Sequence, residues 1–533
     1  MGIPSFFSYI VKNHGSIIKK ISKSQKIDNL YLDSNSIIYD SFHSIKKEYN
    51  GNDEYFEKLL IQKVCEKIEY YINEINPINR VIIAYDGVAP VAKMEQQRTR
   101  RYKSMLERTL KKVIYPTKSD KEEWKTTAIT PGTNFMEKLN KLTKEYFKNN
   151  EKRYGLNEII ISGSDKVGEG EHKIFEYIRN KKSHKDECSF IYGLDADLIM
   201  LGLNHLPVSK HIYLYRETPE FIKSINSDLN PNESYVLDIP LLSQAIISTM
   251  NNGRIVNNKQ QSNRLYDYIF LCFFLGNDFM PHFPAINIRT KGIEVMINAY
   301  KKILGNTNNN LTNGTKIYWN NVYDLISELA DNEWNNIVHT YKVRDRQSKR
   351  QFKEAEERYL NAPLIDREEE IYIAPFIPNW EDRYYKTLFD SEGTPDYIKK
   401  VSINYLEGLE WVMKYYTTGC CDWNWHYKYP YPPLLKDLIK YVPKWQIEFI
   451  TENEHKPVTP YTQLAYVLPK DSLKFLPTKI YNQLIYKKGK NYPENCKLKW
   501  AYCKYIWEAH VDLPEIDINE LQDFILKIDL KIK

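Results

Sequence analysis

The chain has 533 residues, 42% of them hydrophobic and 27% charged, with tyrosine abundant at 42, so two or more domains with a sizeable core are within reach. Its net charge of +6 excludes a strong global field and leaves any nucleic-acid affinity to local basic patches. Seven cysteines without a C-x-x-C pair, no apolar run long enough to span a bilayer, and an opening MGIPSFFSYIVKNHG without a signal-peptide or complete myristoylation pattern argue against a disulfide framework, a structural zinc and a membrane protein, and predict a soluble, cytoplasmic one.

Four short apolar runs in the first 200 residues each lead into a carboxylate or a glycine-rich turn. They are NLYLDSN with Asp33, VIIAYDG with Asp86, EIIISGS before a GEGE turn, and SFIYGLDAD with Asp195 and Asp197. Helical patterns such as Tyr55 to Ile75 and Asn134 to Phe147 separate them. Near-continuous apolar strands alternating with helices predict an α/β fold, a mostly parallel sheet flanked by helices. Ligands of such sheets bind beyond the carboxyl ends of the strands, where Asp33, Asp86, Asp195 and Asp197 would meet. The stretch from Val167 to Leu203 holds two tight acidic pairs, Glu169 with Glu171 and Asp195 with Asp197, ringed by Gly168, Gly170 and Gly193. Acids at the end of a buried strand cost too much desolvation to stand without a cation or basic partner. A divalent-metal site is therefore favoured over a solvated surface.

From Tyr85 the chain reads as a turn followed by a helix, YDGVAPVAKMEQQRTRRYKS, in which Lys93, Gln97, Arg100 and Arg101 share one face. Most Lys/Arg runs on helices are solvated faces; the position directly after Asp86 shifts this one toward a phosphate pocket. Further on, the apolar run Tyr268 to Leu275 delivers Asp278 beside Gly276, and His282 is read as a structural histidine. Two Asn-rich stretches, Met250 to Asn263 and Gly305 to Thr315, are expected as exposed loops. Lys342 to Tyr359 is expected as a charged surface helix, with the acidic Asp366 to Glu370 a connector. From about Tyr372 the sequence turns aromatic- and proline-rich, most densely in GCCDWNWHYKYPYPPLL. Such clusters are core by default, yet interleaved with Lys and His they could stack bases.

Together MGIPSFFSYI, NLYLDSNSIIY, DGVAPVAKMEQQRTRRYKS, ITPGTNFM, GEGEHKIFEYIR, YGLDADLIMLGL, FLCFFLGNDFMPHFP, RYYKTLF, GLEWVMKYYTTGCCDWNWHYKYPYPP and KPVTPYTQLAYVLP closely resemble the Xrn/Rat family of 5′→3′ exoribonucleases. That family shares its acidic site with flap-endonuclease-like (PIN-like) nucleases. The resemblance implies a first conserved region over residues 1–330, a charged helix and connector over 331–371, and a second region over 372–533 that completes an active-site funnel. It implies that Asp33, Asp86, Glu169, Glu171, Asp195, Asp197 and Asp278 hold two Mg²⁺ ions, with Mn²⁺ able to substitute, roughly 3.5–4 Å apart. One ion would activate the attacking water and the other would stabilise the leaving 3′ oxygen. Lys93, Gln97, Arg100 and Arg101 would form the pocket for a 5′-monophosphate, excluding caps and triphosphates. Pro90 and the segment around Pro4 to Phe7 would exclude duplexes.

Where the family has a base-stacking histidine this chain has Tyr39, which stacks equally well but carries no positive charge; its aromatic counterpart would be Trp425, with Trp423 second. Ser36, Val91 and Val167 also depart from the family's Gly, Arg and Pro. Met250 to Ile269 contains no cysteine, so the nuclear branch's zinc knuckle is not expected, and the chain reads as a minimal nuclease core without the cytoplasmic branch's C-terminal domains. The implied activity is processive, Mg²⁺-dependent decay of single-stranded 5′-monophosphorylated RNA to nucleoside 5′-monophosphates by a monomer, with decapping or decay partners unidentified. Two other readings are a non-catalytic RNA-binding scaffold and a flap-type DNA nuclease.

Overall fold

A computed structural model describes residues 2–21, 25–114, 123–217, 229–230, 233–451 and 455–529. Its centre is a seven-stranded sheet built from β1 (Ile18–Lys20), β2 (Asn29–Asp33), β3 (Arg80–Ala84), β4 (Glu158–Ser162), β5 (Cys188–Tyr192), β6 (His211–Glu217) and β7 (Ser234–Asp238), in the order β1-β7-β6-β5-β2-β3-β4. The pairings β3–β4, β2–β3, β2–β5 and β5–β6 are parallel; only β7 runs antiparallel to its neighbours β6 and β1. The four strands expected from the sequence are β2, β3, β4 and β5.

Both faces of the sheet are covered, which is why its central strands read as unbroken apolar runs. Tyr31, Ile82 and Ile191 point into one core, while Leu30, Leu32, Val81, Ile83, Phe190 and Tyr192 point into another. The helix Asp53–Ile75 lies on the second face with Asn134–Phe147. The first core is much larger, running from Ile3 through the buried helix Asn258–Phe273 to Tyr502, so both halves of the chain share it.

Strand order fixes the site. From β2 the sheet grows one way through β3 to β4, then resumes on the other side of β2 with β5 and β6. The carboxyl ends of β2 and β5 therefore flank the point where the order reverses, the place where open parallel sheets bind ligands. Asp33 closes β2, and Asp195 follows β5 by three residues.

Three expectations need correcting. The charged segment Lys342 to Tyr359 is not one helix: Glu333–Ser348 stops, and Ala355–Leu360 follows after a break. The acidic connector is only partly on the surface: Asp366 and Glu368 are exposed, but Glu370 in the helix Glu368–Ile373 is buried between Arg344 (2.5 Å) and Arg367 (2.7 Å). Of the Asn-rich stretches, Gly305 to Thr315 is the expected loop, partly exposed, and Met250 to Asn263 is an exposed loop only as far as Asn257. Asn258 begins a helix, and Gly305 to Thr315 is tied down from that helix by Arg264 and Asp267, which bond the backbone of Leu304, Thr307, Asn309, Leu311 and Thr312.

Candidate active site

All seven predicted acids gather at the carboxyl end of the sheet. Asp86 lies two residues past β3, and its carboxylate is pinned at both oxygens. Gly170 N–H donates to Oδ1 (2.7 Å) and Asn35 Nδ2 to Oδ2 (2.5 Å), while Asn35 Oδ1 accepts from the Asp86 N–H (3.1 Å). The GEGE turn is laced to the loop after β3 by Gly87 N–H to the Gly168 carbonyl and Gly168 N–H to the Val88 carbonyl, each 2.8 Å. Its second glycine leaves room for the acids, since a Cβ on Gly170 would come 2.7 Å from Asp33 Oδ1. Glu169 immediately precedes the helix Gly170–Asn180 and Glu171 lies in its first turn, placing both carboxylates at a positive helix end. Asp197 opens the helix Asp197–His205, with Asp195 at the exposed rim. Asp278 comes from the turn beyond the Asn258–Phe273 helix and accepts from the Gly2 N–H at 3.1 Å.

Carboxylate oxygens of Asp33, Asp86 and Glu171 lie within 4.8 Å of one another, as do ligand atoms of Glu169, Glu171 and His172. So much negative charge in a buried place cannot persist uncompensated. Burial, then Asp86 and Asp195, raises the Asp33 carboxyl well above its ordinary range; burial, then Glu169 and Asp33, does the same to Glu171. Asp197 is pushed up to about 7 by burial and Asp278. Lys93 offsets part of this. Burial opposes its charge, yet Asp278 and Glu169, 2.8 and 2.5 Å from its Nζ, hold it firmly protonated. Asp278 is correspondingly held below the usual carboxylate range: burial would raise it, but the positive charges around it, Lys93 foremost and Arg100 with it, together bring it down. Oδ1 of Asp33 and Oδ1 of Asp197 are buried without a hydrogen-bond partner. Carboxylate donors, buried, mutually repelling and partly unsatisfied, fit hard divalent cations such as Mg²⁺.

The basic face lies on the helix Val91–Ile114, whose first turn is closed by the Pro90 carbonyl accepting from Lys93 and Met94 N–H. Its four residues are brought to one side but play different parts. Lys93 belongs to the acidic cluster. Gln97 is buried with Oε1 unpartnered, and Arg101 donates Nη2 to Thr130 Oγ1 (2.7 Å) while its buried Nη1 has no partner. Burial, with Arg100 adding to it, lowers the Arg101 pKa to about 10. Arg100 is exposed. Tyr39, on the helix Asn35–Ile45, is half-buried and close enough to Arg101 to influence its charge.

Trp425, first choice as its aromatic counterpart, is packed inward. It is only 7% exposed and stacks on Trp411 at 5.1 Å between centroids. Trp423 is half-buried, and its carbonyl accepts from Val91 N–H at 2.9 Å, which puts it beside the start of the basic helix. One face of the Trp425 ring is therefore taken by Trp411, and Trp425 shares a cavity wall with Val91 at the start of the basic helix.

Several residues of the site were not singled out in the sequence. Asn35 sits in the DSN run and is legible as a polar residue beside Asp33. Gly2 has φ +56, and a Cβ there would come 2.3 Å from Asp197 Oδ1, which no local pattern reveals. Lys173 reaches from the GEGE helix to the carbonyls of Tyr85 (2.8 Å) and Gly163 (2.9 Å), tying two strand ends together. Tyr415 donates to Glu169 Oε1 at 2.7 Å across 246 residues of sequence.

Most of the chain is similar to known proteins. Residues 1–218 match the family described as XRN 5′-3′ exonuclease N-terminus, and residues 259–376 and 376–533 match that described as Xrn1 helical domain. The chain is 27% identical to a Drosophila melanogaster protein named 5′-3′ exoribonuclease 2 homolog, over 98% of the chain and 70% of that protein. It is 28% identical to the Saccharomyces cerevisiae 5′-3′ exoribonuclease 1, over 99% of the chain and 43% of the relative, and 28% identical to the Homo sapiens 5′-3′ exoribonuclease 1, over 98% and 34%. The chain thus spans about two thirds of the first relative and less than half of the other two.

Proposed function

The chain belongs to the family of XRN 5′-3′ exonucleases, and on that premise we propose that it is a 5′→3′ exoribonuclease acting on single-stranded RNA with a 5′-monophosphate. The observation that carries this reading is the meeting of the two halves of one helix face. Lys93 reaches into the seven-acid cluster, while Gln97 and Arg101, one and two turns later, turn unpartnered polar atoms to the same side. A terminal phosphate held there lies next to the acids, so the first phosphodiester is the one presented for hydrolysis.

Asp33, Asp86, Glu169, Glu171, Asp195, Asp197 and Asp278 would hold the divalent cations, Mg²⁺ or Mn²⁺. When bound, such ions supply charge compensation and an activated water for phosphodiester hydrolysis. The protein's own contribution is placement. Arg101, Gln97 and Arg100 grip the terminal phosphate, and Lys93, with three donors, keeps one beyond its two carboxylates. Water oxygen joins phosphorus, the P–O3′ bond breaks, and the proton ends on the 3′ hydroxyl. The products are a nucleoside 5′-monophosphate and an RNA with a new 5′-phosphate that can re-enter the pocket, which makes repeated cleavage natural. Tyr39 and Trp423 would offer ring faces to the first bases, and Pro90 with the N-terminal segment would admit one strand only. We also propose a role in RNA decay, placed in the cytoplasm.

The test is digestion of one RNA bearing a 5′-monophosphate, a 5′-triphosphate or a cap, with Mg²⁺ or EDTA, alongside the Asp195→Ala, Asp197→Ala double variant. Mononucleotides are expected from the monophosphate RNA alone, and none with EDTA or the double variant. Equal digestion of all three ends would sink the phosphate pocket, and tight RNA binding without cleavage would favour a scaffold.

A further inference from the structure

The acids that make the cluster come from the first 280 residues, yet one of them is held from the second half of the chain. Tyr415 lies in the last turn of the long helix Pro395–Thr417. Its ring is sandwiched between His172 (3.8 Å between centroids, 28° between planes) and Trp411 (4.8 Å, 22°), with the edge of Phe279 at 5.5 Å. Fixed on both faces and buried, the ring can aim its hydroxyl in only one direction, at Glu169 Oε1, 2.7 Å away. The other oxygen of that carboxylate, Oε2, is the one that meets Lys93 at 2.5 Å.

We propose that Tyr415 is a positioning residue: its hydroxyl anchors one oxygen of Glu169, so that the other is always presented to the divalent-cation site. The proposal rests on the reading of Glu169 as a cation-holding group. Packing does not explain the hydroxyl, because a phenylalanine would fill the same sandwich. What the oxygen adds is one hydrogen bond to a buried carboxylate, the kind of contact from outside a metal's own ligands that sets ligand orientation. The neighbouring Tyr416 approaches Asp197 and Asp278 from the same helix end. The second half of the chain thereby reaches both acidic pairs through adjacent tyrosines.

The experiment is calorimetric titration of the full chain with Mn²⁺, comparing wild type, Tyr415→Phe, Glu169→Gln and the Glu169→Gln, Tyr415→Phe double variant, each checked by thermal melting. Tyr415→Phe is expected to keep its melting temperature within a few degrees, since both stacking partners remain, and to weaken the tighter Mn²⁺ site by about tenfold, the lower end of the range for such contacts. In steady-state RNA digestion its deficit should appear in kcat at limiting Mg²⁺ and close at high Mg²⁺, with KM for RNA unchanged. In the Glu169→Gln background the same substitution should add little. Affinity within twofold of wild type would overturn the proposal, as would a full tenfold loss persisting without the Glu169 carboxylate. Absence of Mn²⁺ binding by the wild type would instead overturn the underlying assignment of the acidic cluster.

Discussion

Arg101 shows how a single side chain can be half committed. One nitrogen of its guanidinium is bonded to Thr130 Oγ1, the other is buried with nothing to bond. A guanidinium left in that state is costly unless an anion completes it. Hydrogen bonds to charged groups contribute about 1.5–3 kcal/mol, so Arg101→Leu should cut the preference for 5′-monophosphate over 5′-hydroxyl RNA by roughly 10–100-fold. Competition between the two RNAs for one enzyme sample measures this directly; an unchanged preference would remove Arg101 from the pocket. The spacing that put Lys93, Gln97, Arg100 and Arg101 on one face was visible in the sequence. That Lys93 is spent on Glu169 and Asp278, leaving phosphate recognition mainly to the others, was not, because its partners lie 76 and 185 residues away.

At the scale of elements, the two helices that carry the acidic pairs are clamped to each other at their far ends. Arg179, near the end of Gly170–Asn180, approaches His205 Nε2 at 2.9 Å, and His205 closes the helix Asp197–His205. Arginine can only donate, so Nε2 accepts and the ring proton sits on Nδ1, which meets the Leu201 carbonyl at 2.8 Å. Burial, and then Arg179, lowers the His205 pKa to about 3. A folded value below the unfolded 6.5 means that this neutral histidine contributes stability in full above pH 6.5. The contribution is lost as pH falls toward about 3, at about 1.4 kcal/mol per pH unit. His205→Gln, which keeps a polar side chain without the titration, should therefore show a shallower fall of melting temperature between pH 6.5 and 4.5. Parallel curves would mean that His205 is not what acid attacks. Helix positions were largely legible here from the apolar run 198–203; the cross-brace was not, because periodicity identifies a buried face without naming what it meets.

For the molecule as a whole, the second half of the chain holds the first in working shape. The start of the basic helix packs on the segment Leu464 to Leu468, with Ala89 N–H donating to Gln463 Oε1 at 2.9 Å and Arg98 donating to the Pro514 carbonyl at 2.8 Å. Farther from the cluster, Glu370 gathers Arg344, Arg367 and the Tyr502 N–H (2.8 Å) in a buried knot that fastens residues near 502 to the helices around 340–370. Removing one partner of a buried ion pair strands the others and costs about 3–5 kcal/mol. Glu370→Gln should accordingly lower the melting temperature by several degrees while leaving the Mg²⁺ requirement of the folded fraction unchanged. A melting temperature equal to wild type would show the knot to be dispensable.

The sequence by itself determined the parallel α/β core and the identity of the acids. Strands buried on both faces must be continuously apolar, and a carboxylate at the end of such a strand has one place to go, the open edge of the sheet. It also determined which face of the 91–114 helix is basic, since helical spacing is a local property. Only the tertiary structure decided the rest: that Trp425 is largely buried while Trp423 stands by the basic helix, that Glu370 within the acidic stretch is a buried anchor, and that Gly2, Asn35 and Tyr415 shape the carboxylate cluster. Each of these depends on which surfaces meet across many tens or hundreds of residues, and that is settled by how volumes and unpaired polar groups fit when the elements pack, not by any spacing along the chain.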